Sequence, residues 1–182
     1  WGMAPEERHV IVRRRGMMLA VVAAVGLGLA SCGAAVEEAT ERAIEQGTGA
    51  DVEIDDDGVT VTDEEGNTSA FGSQASVPED WPSDIPVPDG TVLSSASYPD
   101  GKQVTVQPDG DALAAYNDIR SQVEAAGYTV RSTTDVGGSK STVLFKPSGA
   151  ENETAGTIVT VSYAGEFING EDAVSVTVNT QS

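Results

Sequence analysis

A single amphipathic helix is encoded by residues 111–127, DALAAYNDIRSQVEAAG. Asp111 suits the N-cap position, because its carboxylate can accept a hydrogen bond from a free N–H of the first turn. Gly127 suits the position just after the last turn. Apolar side chains recur between them at three- and four-residue steps, which places them on one helix face; they are Leu113, Tyr116, Ile119, Val123 and Ala126.

Strand-like segments surround this helix. Two precede it, at residues 91–98 and 102–107, and Pro99-Asp100-Gly101 between them predicts a hairpin turn. Four follow it, at residues 128–134, 141–146, 157–163 and 173–180. The last two alternate Val with Thr or Ser, as expected for strands with one buried face. The order β-β-α-β-β-β-β predicts an α+β fold, in which one helix covers one face of an antiparallel sheet.

The residues before this domain divide into three segments. Residues 1–31 are interpreted as a cleaved signal peptide, and residues 32–72 as an anchor with a short helix over 34–46 and an acidic hairpin turning at Asp57-Gly58. Residues 73–90 contain four prolines and predict an extended linker. Trp81 is expected to pack this linker onto the main domain, residues 91–182.

The leader contains an export signal. Arg13, Arg14 and Arg15 precede an uncharged run over residues 17–30, and small residues follow. This run of 14 residues is shorter than the roughly 20 that a membrane-spanning helix needs. Arg14 and Arg15 also resemble the twin-arginine pattern, although Arg13 stands where that pattern usually has Ser or Thr, so both the general and the twin-arginine export routes stay open.

Leu29, Ala30, Ser31 and Cys32 resemble the lipobox of bacterial lipoproteins. The resemblance implies a diacylglyceryl group on the Cys32 thiol and cleavage before Cys32 by signal peptidase II. A diacylglyceryl group carries two acyl chains, and two or more acyl chains give stable anchoring where a single chain would be marginal. We therefore expect a protein held at the outer face of the cytoplasmic membrane by this covalent lipid, with no other cofactor.

The mature chain is strongly acidic. The whole chain has a formal charge of −19, and residues 1–31 hold four arginines and two glutamates. From Cys32 onward six basic and 27 acidic residues remain, a charge of −21. Nucleic-acid binding depends on Lys and Arg that neutralise phosphates, so the composition argues against a DNA or RNA partner.

The mature chain lacks the residues that several common catalytic mechanisms need. The single His of the sequence, His9, lies in the leader, and the single Cys is the acylation site Cys32. Serine–histidine, cysteine–histidine and zinc mechanisms are thereby excluded. A carboxylate-dependent hydrolase stays an alternative, because acidic residues are plentiful.

A weak calcium motif overlaps the acidic hairpin. Residues 53–64 approximate an EF-hand loop, with Asp55, Asp57 and Glu64 as candidate ligands. Thr60 stands where an apolar residue normally pairs two such loops, and residues 59–62 are strand-like with no helix after them. An acidic hairpin is therefore favoured over a metal site.

The mature chain resembles small membrane lipoproteins that are commonest in actinobacteria. The residues that carry the resemblance are the lipobox at 29–32, the segments 41–49 and 51–66, and the stretch PEDWPSDIP at 78–86. The resemblance implies location and anchoring and brings no particular activity. We expect a non-enzymatic envelope lipoprotein that binds another envelope protein or a ligand, with the hydrolase and a calcium-dependent adhesion or sensing module as alternatives.

Overall fold

The computed structural model describes Glu45 and residues 49–55, 58–149, 155–168 and 171–181. The strands before the helix are β1 (Asp51–Asp55), β2 (Gly58–Thr62), β3 (Thr68–Gly72), β4 (Gly90–Tyr98) and β5 (Gly101–Pro108). The helix α1 is Ala112–Ala125. The strands after it are β6 (Thr129–Val136), β7 (Ser139–Pro147), β8 (Gly156–Ile168) and β9 (Glu171–Gln181). The predicted signal peptide, the lipobox and most of the predicted helix at 34–46 lie outside the described residues.

All nine strands form one antiparallel sheet in the order β1-β2-β3-β4-β5-β9-β8-β7-β6. The predicted α+β class and the succession β-β-α-β-β-β-β are confirmed from β4 to β9. The chain leaves β5 through α1 and enters the sheet again at its far edge, with β6. It then returns strand by strand until β9 pairs with β5, with Val104 opposite Val176. This route lays α1 across the strands β5, β7, β8 and β9.

The ends of α1 are set by the two residues predicted for them. The Asp111 carboxylate accepts a hydrogen bond from the backbone N–H of Ala114 at 2.6 Å. At the other end Gly127 adopts a φ of 94°, a conformation that favours glycine. Its N–H bonds to the Glu124 carbonyl, and the Tyr128 N–H bonds to the Val123 carbonyl, so two carbonyls of the last turn are satisfied.

The core lies between α1 and one face of the sheet. Tyr116, Ile119 and Val123 of α1 are almost fully buried. The sheet side is rich in valine, whose branched side chain packs well on a pleated surface; its buried members are Val104, Val106, Leu144, Val159, Val161, Val174, Val176 and Val178. The Tyr116 hydroxyl is satisfied inside this core by Thr142 at 2.6 Å.

The proline-rich segment packs against the core, with Trp81 in the role predicted for it. Ile85 is 2% exposed and belongs to the main core, and Trp81 packs against that core. The Trp81 indole N–H donates to the Ile85 carbonyl at 2.8 Å. Lys102 of β5 donates to the Asp80 carboxylate at 2.8 Å and so lowers the pKa of that carboxyl. The segment is therefore fastened to the domain that follows it.

The first three strands extend the main sheet. β3 pairs with β4, from Thr68 opposite Ser97 to Phe71 opposite Ser94. Their apolar side chains form a second, small cluster of Ala50, Val52 and Val59, with Ile54 and Val61 packed beside it. Directly paired residues share a face of the sheet. The registers therefore place Val52 and Val59 on the side of the sheet that does not carry α1.

We expect residues 77–182 to fold without the preceding segment. The main core runs from Ile85 to Val178 and contains none of the residues of β1, β2 or β3. A purified fragment over 77–182 should therefore show a cooperative thermal transition by circular dichroism. Gradual melting without a transition would mean that β4 needs its partner β3 for the domain to form.

Candidate functional site

The sequence-predicted site residues fall into two groups. The predicted acylation site Cys32 and its neighbours Leu29, Ala30 and Ser31 lie outside the described residues, as does the calcium candidate Asp57. The other two calcium candidates are described. Among the described residues no group of three or more metal-ligating side chains comes together.

The structure keeps the described calcium candidates apart. Asp55 ends β1 and lies beside the β1–β2 turn, because it pairs with Gly58. Glu64 follows the other end of β2. Five strand residues of roughly 3.3 Å each therefore separate the two positions. The Asp55 carboxylate instead accepts a hydrogen bond from the Gln74 side chain.

The main sheet has one face covered by α1 and an opposite face, called the open face, that no described helix covers. The open face consists of the residues of β4, β5, β7, β8 and β9 that alternate with the core valines. It carries mainly hydroxyl and amide side chains, including Ser94, Gln103, Thr105, Ser141, Thr160, Ser162, Ser175 and Thr177. Several bond to one another across strands, such as Ser141 with Ser162 at 3.0 Å and Thr105 with Ser175 at 3.3 Å. These side-chain hydrogen bonds link neighbouring strands on the side of the sheet away from α1.

Charge changes sign along the sheet. The described ionisable side chains of β1, β2 and the turn that follows are all carboxylates; they are Asp51, Glu53, Asp55, Asp63, Glu64 and Glu65. The β6–β7 hairpin at the other end contains Arg131, Lys140 and Lys146 against the single carboxylate Asp135. Three of the six basic residues between positions 32 and 182 thus lie in this hairpin.

The three cations of the hairpin differ in their partners. Lys140 forms an ion pair with Asp135. Lys146 lies 3.3 Å from the Asp84 carboxylate and 5.0 Å from the centre of the Tyr128 ring. The Arg131 guanidinium lies 4.8 Å from the centre of the Phe145 ring, a cation–π distance. Sequence reasoning did not single out Arg131, although the scarcity of basic residues was a signal that each one merited attention.

Two tyrosines have raised pKa values. Burial raises the pKa of Tyr128, and the nearby Asp84 carboxylate adds to the effect. Tyr163 donates a hydrogen bond to the Asp172 carboxylate at 2.8 Å, and this bond raises the pKa of Tyr163, because the phenolate would lose it and face a negative charge.

Replacing Asp172 by asparagine should therefore lower the pKa of Tyr163. We expect the change to appear as an earlier tyrosinate absorbance at 295 nm in an alkaline spectrophotometric titration. Asp118→Asn is the matched control, since Asp118 lies on the exposed side of α1 and bonds to Gln122. If Asp172→Asn leaves the titration unchanged, the bond between Tyr163 and Asp172 does not control this ionisation.

No helix among the described residues combines the length and the hydropathy needed to cross a bilayer. Comparisons of the chain with protein-family models, with curated proteins and with solved structures found no match.

Proposed function

We propose that this protein is a lipid-anchored interaction module on the outer face of the cytoplasmic membrane, and that it is not an enzyme. The observation that carries the proposal is the order of features before the mature chain: a basic stretch, a short uncharged run, and Leu29-Ala30-Ser31-Cys32. A diacylglyceryl group on Cys32 is the covalent attachment in this proposal. The strong negative charge of the mature chain favours such an anchor over direct adsorption to anionic lipid.

The distance between anchor and sheet supports a tethered binding role. Cys32 and the first residue of β1, Asp51, are 19 positions apart. Even a fully extended chain of that length reaches at most about 65 Å. The sheet is thereby kept near the membrane, where an envelope partner that is itself confined to the surface meets it at a raised effective concentration.

The composition of the mature chain supports a non-enzymatic role. Its acylated Cys32 offers no thiolate, and imidazole is absent from residues 32–182. The described carboxylates with a predicted role, Asp55 and Glu64, lie at opposite ends of β2. Binding through backbone groups and uncharged side chains requires neither a thiolate nor an imidazole.

Mass spectrometry of the mature N-terminus tests this proposal. We expect the N-terminal peptide of the membrane-extracted protein to begin at Cys32 and to carry the mass of a thioether-linked diacylglyceryl group. The proposal fails if the mature chain begins elsewhere, or if Cys32 is recovered as a free thiol.

A further inference from the structure

Strand β6 forms one edge of the sheet, and its outer side is not paired by any other described strand. It is hydrogen-bonded to β7 on its inner side alone. All eight residues from Thr129 to Val136 are exposed. From Ser132 to Val136 the pairing with β7 is regular, and the one irregularity falls between Val130 and Ser132. The outer N–H and C=O groups of this regular stretch have no strand partner among the described residues and can bond to an added strand.

The two edges of the sheet differ in their protection against strand addition. The opposite edge, β1, has only five residues, and the carboxylates of Asp51, Glu53 and Asp55 are exposed along it. A short strand with charged side chains is a common way to block edge pairing. β6 is longer, and its Thr and Val residues favour extended structure, with Val136 69% exposed. The one charged side chain in its regular stretch, Asp135, is paired with Lys140 of β7. Of the two edges, β6 is therefore the one suited to accept a strand.

Arg131 gives this edge a preference for a negatively charged partner. Every other described Lys and Arg has a carboxylate partner, in the pairs Lys102–Asp80, Arg120–Glu124, Lys140–Asp135 and Lys146–Asp84. Arg131 is exposed and contacts the Phe145 ring, with no carboxylate partner among the described residues. An exposed guanidinium on an edge strand favours an incoming strand that brings a carboxylate.

We propose that β6 is a strand-addition site for an extended acidic segment of a partner protein, whose backbone pairs with residues 132–136 and whose carboxylate pairs with Arg131. This names the binding edge and the partner chemistry of the interaction module proposed above, and it rests on that proposal. The backbone bonds supply affinity, and the carboxylate supplies selectivity. The exposed Val136 adds an apolar contact for a β-branched side chain on the incoming strand.

A second copy of the chain fits this edge less well. The single carboxylate of β6, Asp135, is bonded to Lys140 on the face that carries α1. Arg131 lies on the opposite face, over Phe145. Residues that are directly paired in an antiparallel ladder share a face, so a second β6 does not bring a carboxylate to Arg131.

The test uses the full chain and two synthetic peptides, TVTETVT and its matched form TVTQTVT, both with blocked ends. We expect the glutamate peptide to slow amide hydrogen exchange over residues 129–136 and to leave β1 unaffected. It should bind about two- to five-fold more tightly than the glutamine peptide, the range for an exposed ion pair. Arg131→Ala should abolish this preference, whereas the matched helix variant Arg120→Ala should retain it.

Three results would overturn the proposal: unchanged exchange over β6, protection of β1 instead, or equal binding of the two peptides by the unaltered chain. Concentration-dependent dimers that protect β6 without peptide would also overturn it, because the occupant would then be a second copy. Circular dichroism of Arg131→Ala verifies folding, which an exposed site should preserve. None of these readouts depends on Cys32, so a failure here is distinguishable from a failure of lipid anchoring.

Discussion

Replacing Cys32 by alanine is expected to move the protein almost completely from the membrane fraction to the soluble fraction. The sequence contains no other cysteine that could receive the diacylglyceryl group. Without acyl chains, a mature region with 27 acidic and six basic residues has little attraction to an anionic membrane surface. Fractionation of cells that express the variant, followed by immunoblotting, measures the change.

Ser31→Ala is the matched control for this experiment. It keeps a small residue beside the acylation site and leaves the thiol in place, so the protein should stay in the membrane fraction. If Cys32→Ala remains quantitatively membrane-bound after the leader has been removed, then the lipid on Cys32 does not anchor the protein, and the proposed function is wrong.

Replacing Ile119 by alanine is expected to destabilise the main domain strongly. Ile119 is 3% exposed and faces the sheet from the middle of α1. Truncating a buried isoleucine to alanine costs about 2–5 kcal/mol, through lost burial and the cavity left behind. That is a large share of the roughly 5–15 kcal/mol by which such domains are stable. We expect the Tm to fall by at least about 8 °C in a thermal melt, since each kcal/mol shifts the Tm of a domain of this size by roughly 4–8 °C.

Asp118→Ala is the control on the neighbouring face of α1. Asp118 is exposed, and its carboxylate accepts a hydrogen bond from the Gln122 amide at 2.7 Å, so its loss should change the Tm little. Small and equal effects from Ile119→Ala and Asp118→Ala would contradict the packing of α1 on the sheet. A strong effect of Ile119→Ala alone would agree with it.

Local patterns were sufficient to predict the elements of the main domain. The helix was predictable because its period, its N-cap Asp111 and its terminal Gly127 are all encoded within 17 consecutive residues. The strands β8 and β9 were predictable because Val alternates with Thr and Ser along both. In each case the signal is carried by neighbours in the chain, where side-chain spacing directly determines which face is buried.

The arrangement of the strands could not be predicted in the same way. β9 pairs with β5 across roughly 70 residues, and the ladder is made by backbone groups that every residue possesses. Apart from Phe71, the paired residues of β3 and β4 are Thr, Ser and Ala, which also occur in several other strands and do not specify a partner. The sequence therefore suggested a separate hairpin module before residue 73, and the structure attaches its strands to the main sheet.

The candidate site divides along the same line. Cys32 could be predicted as an acylation site because its motif consists of adjacent residues. Arg131 could not, because its significance depends on which strand lies at the edge and on which carboxylates lie elsewhere. Asp135 is only four positions away in sequence, yet Lys140 binds it on the other face of the sheet.

The ladder between β3 and β4 has a mechanical consequence. It spans only Thr68 to Phe71 on one side and is the shortest ladder in the described sheet. The five-pair ladders β1–β2 and β2–β3 join the first three strands to one another, whereas only the four pairs between β3 and β4 join them to the strands of the main domain. Rupture there would detach β1, β2 and β3 together and leave the valine core under α1 intact. In the proposed lipid-anchored arrangement, release of these strands would lengthen the connection between the anchor and the main domain while that domain stays folded.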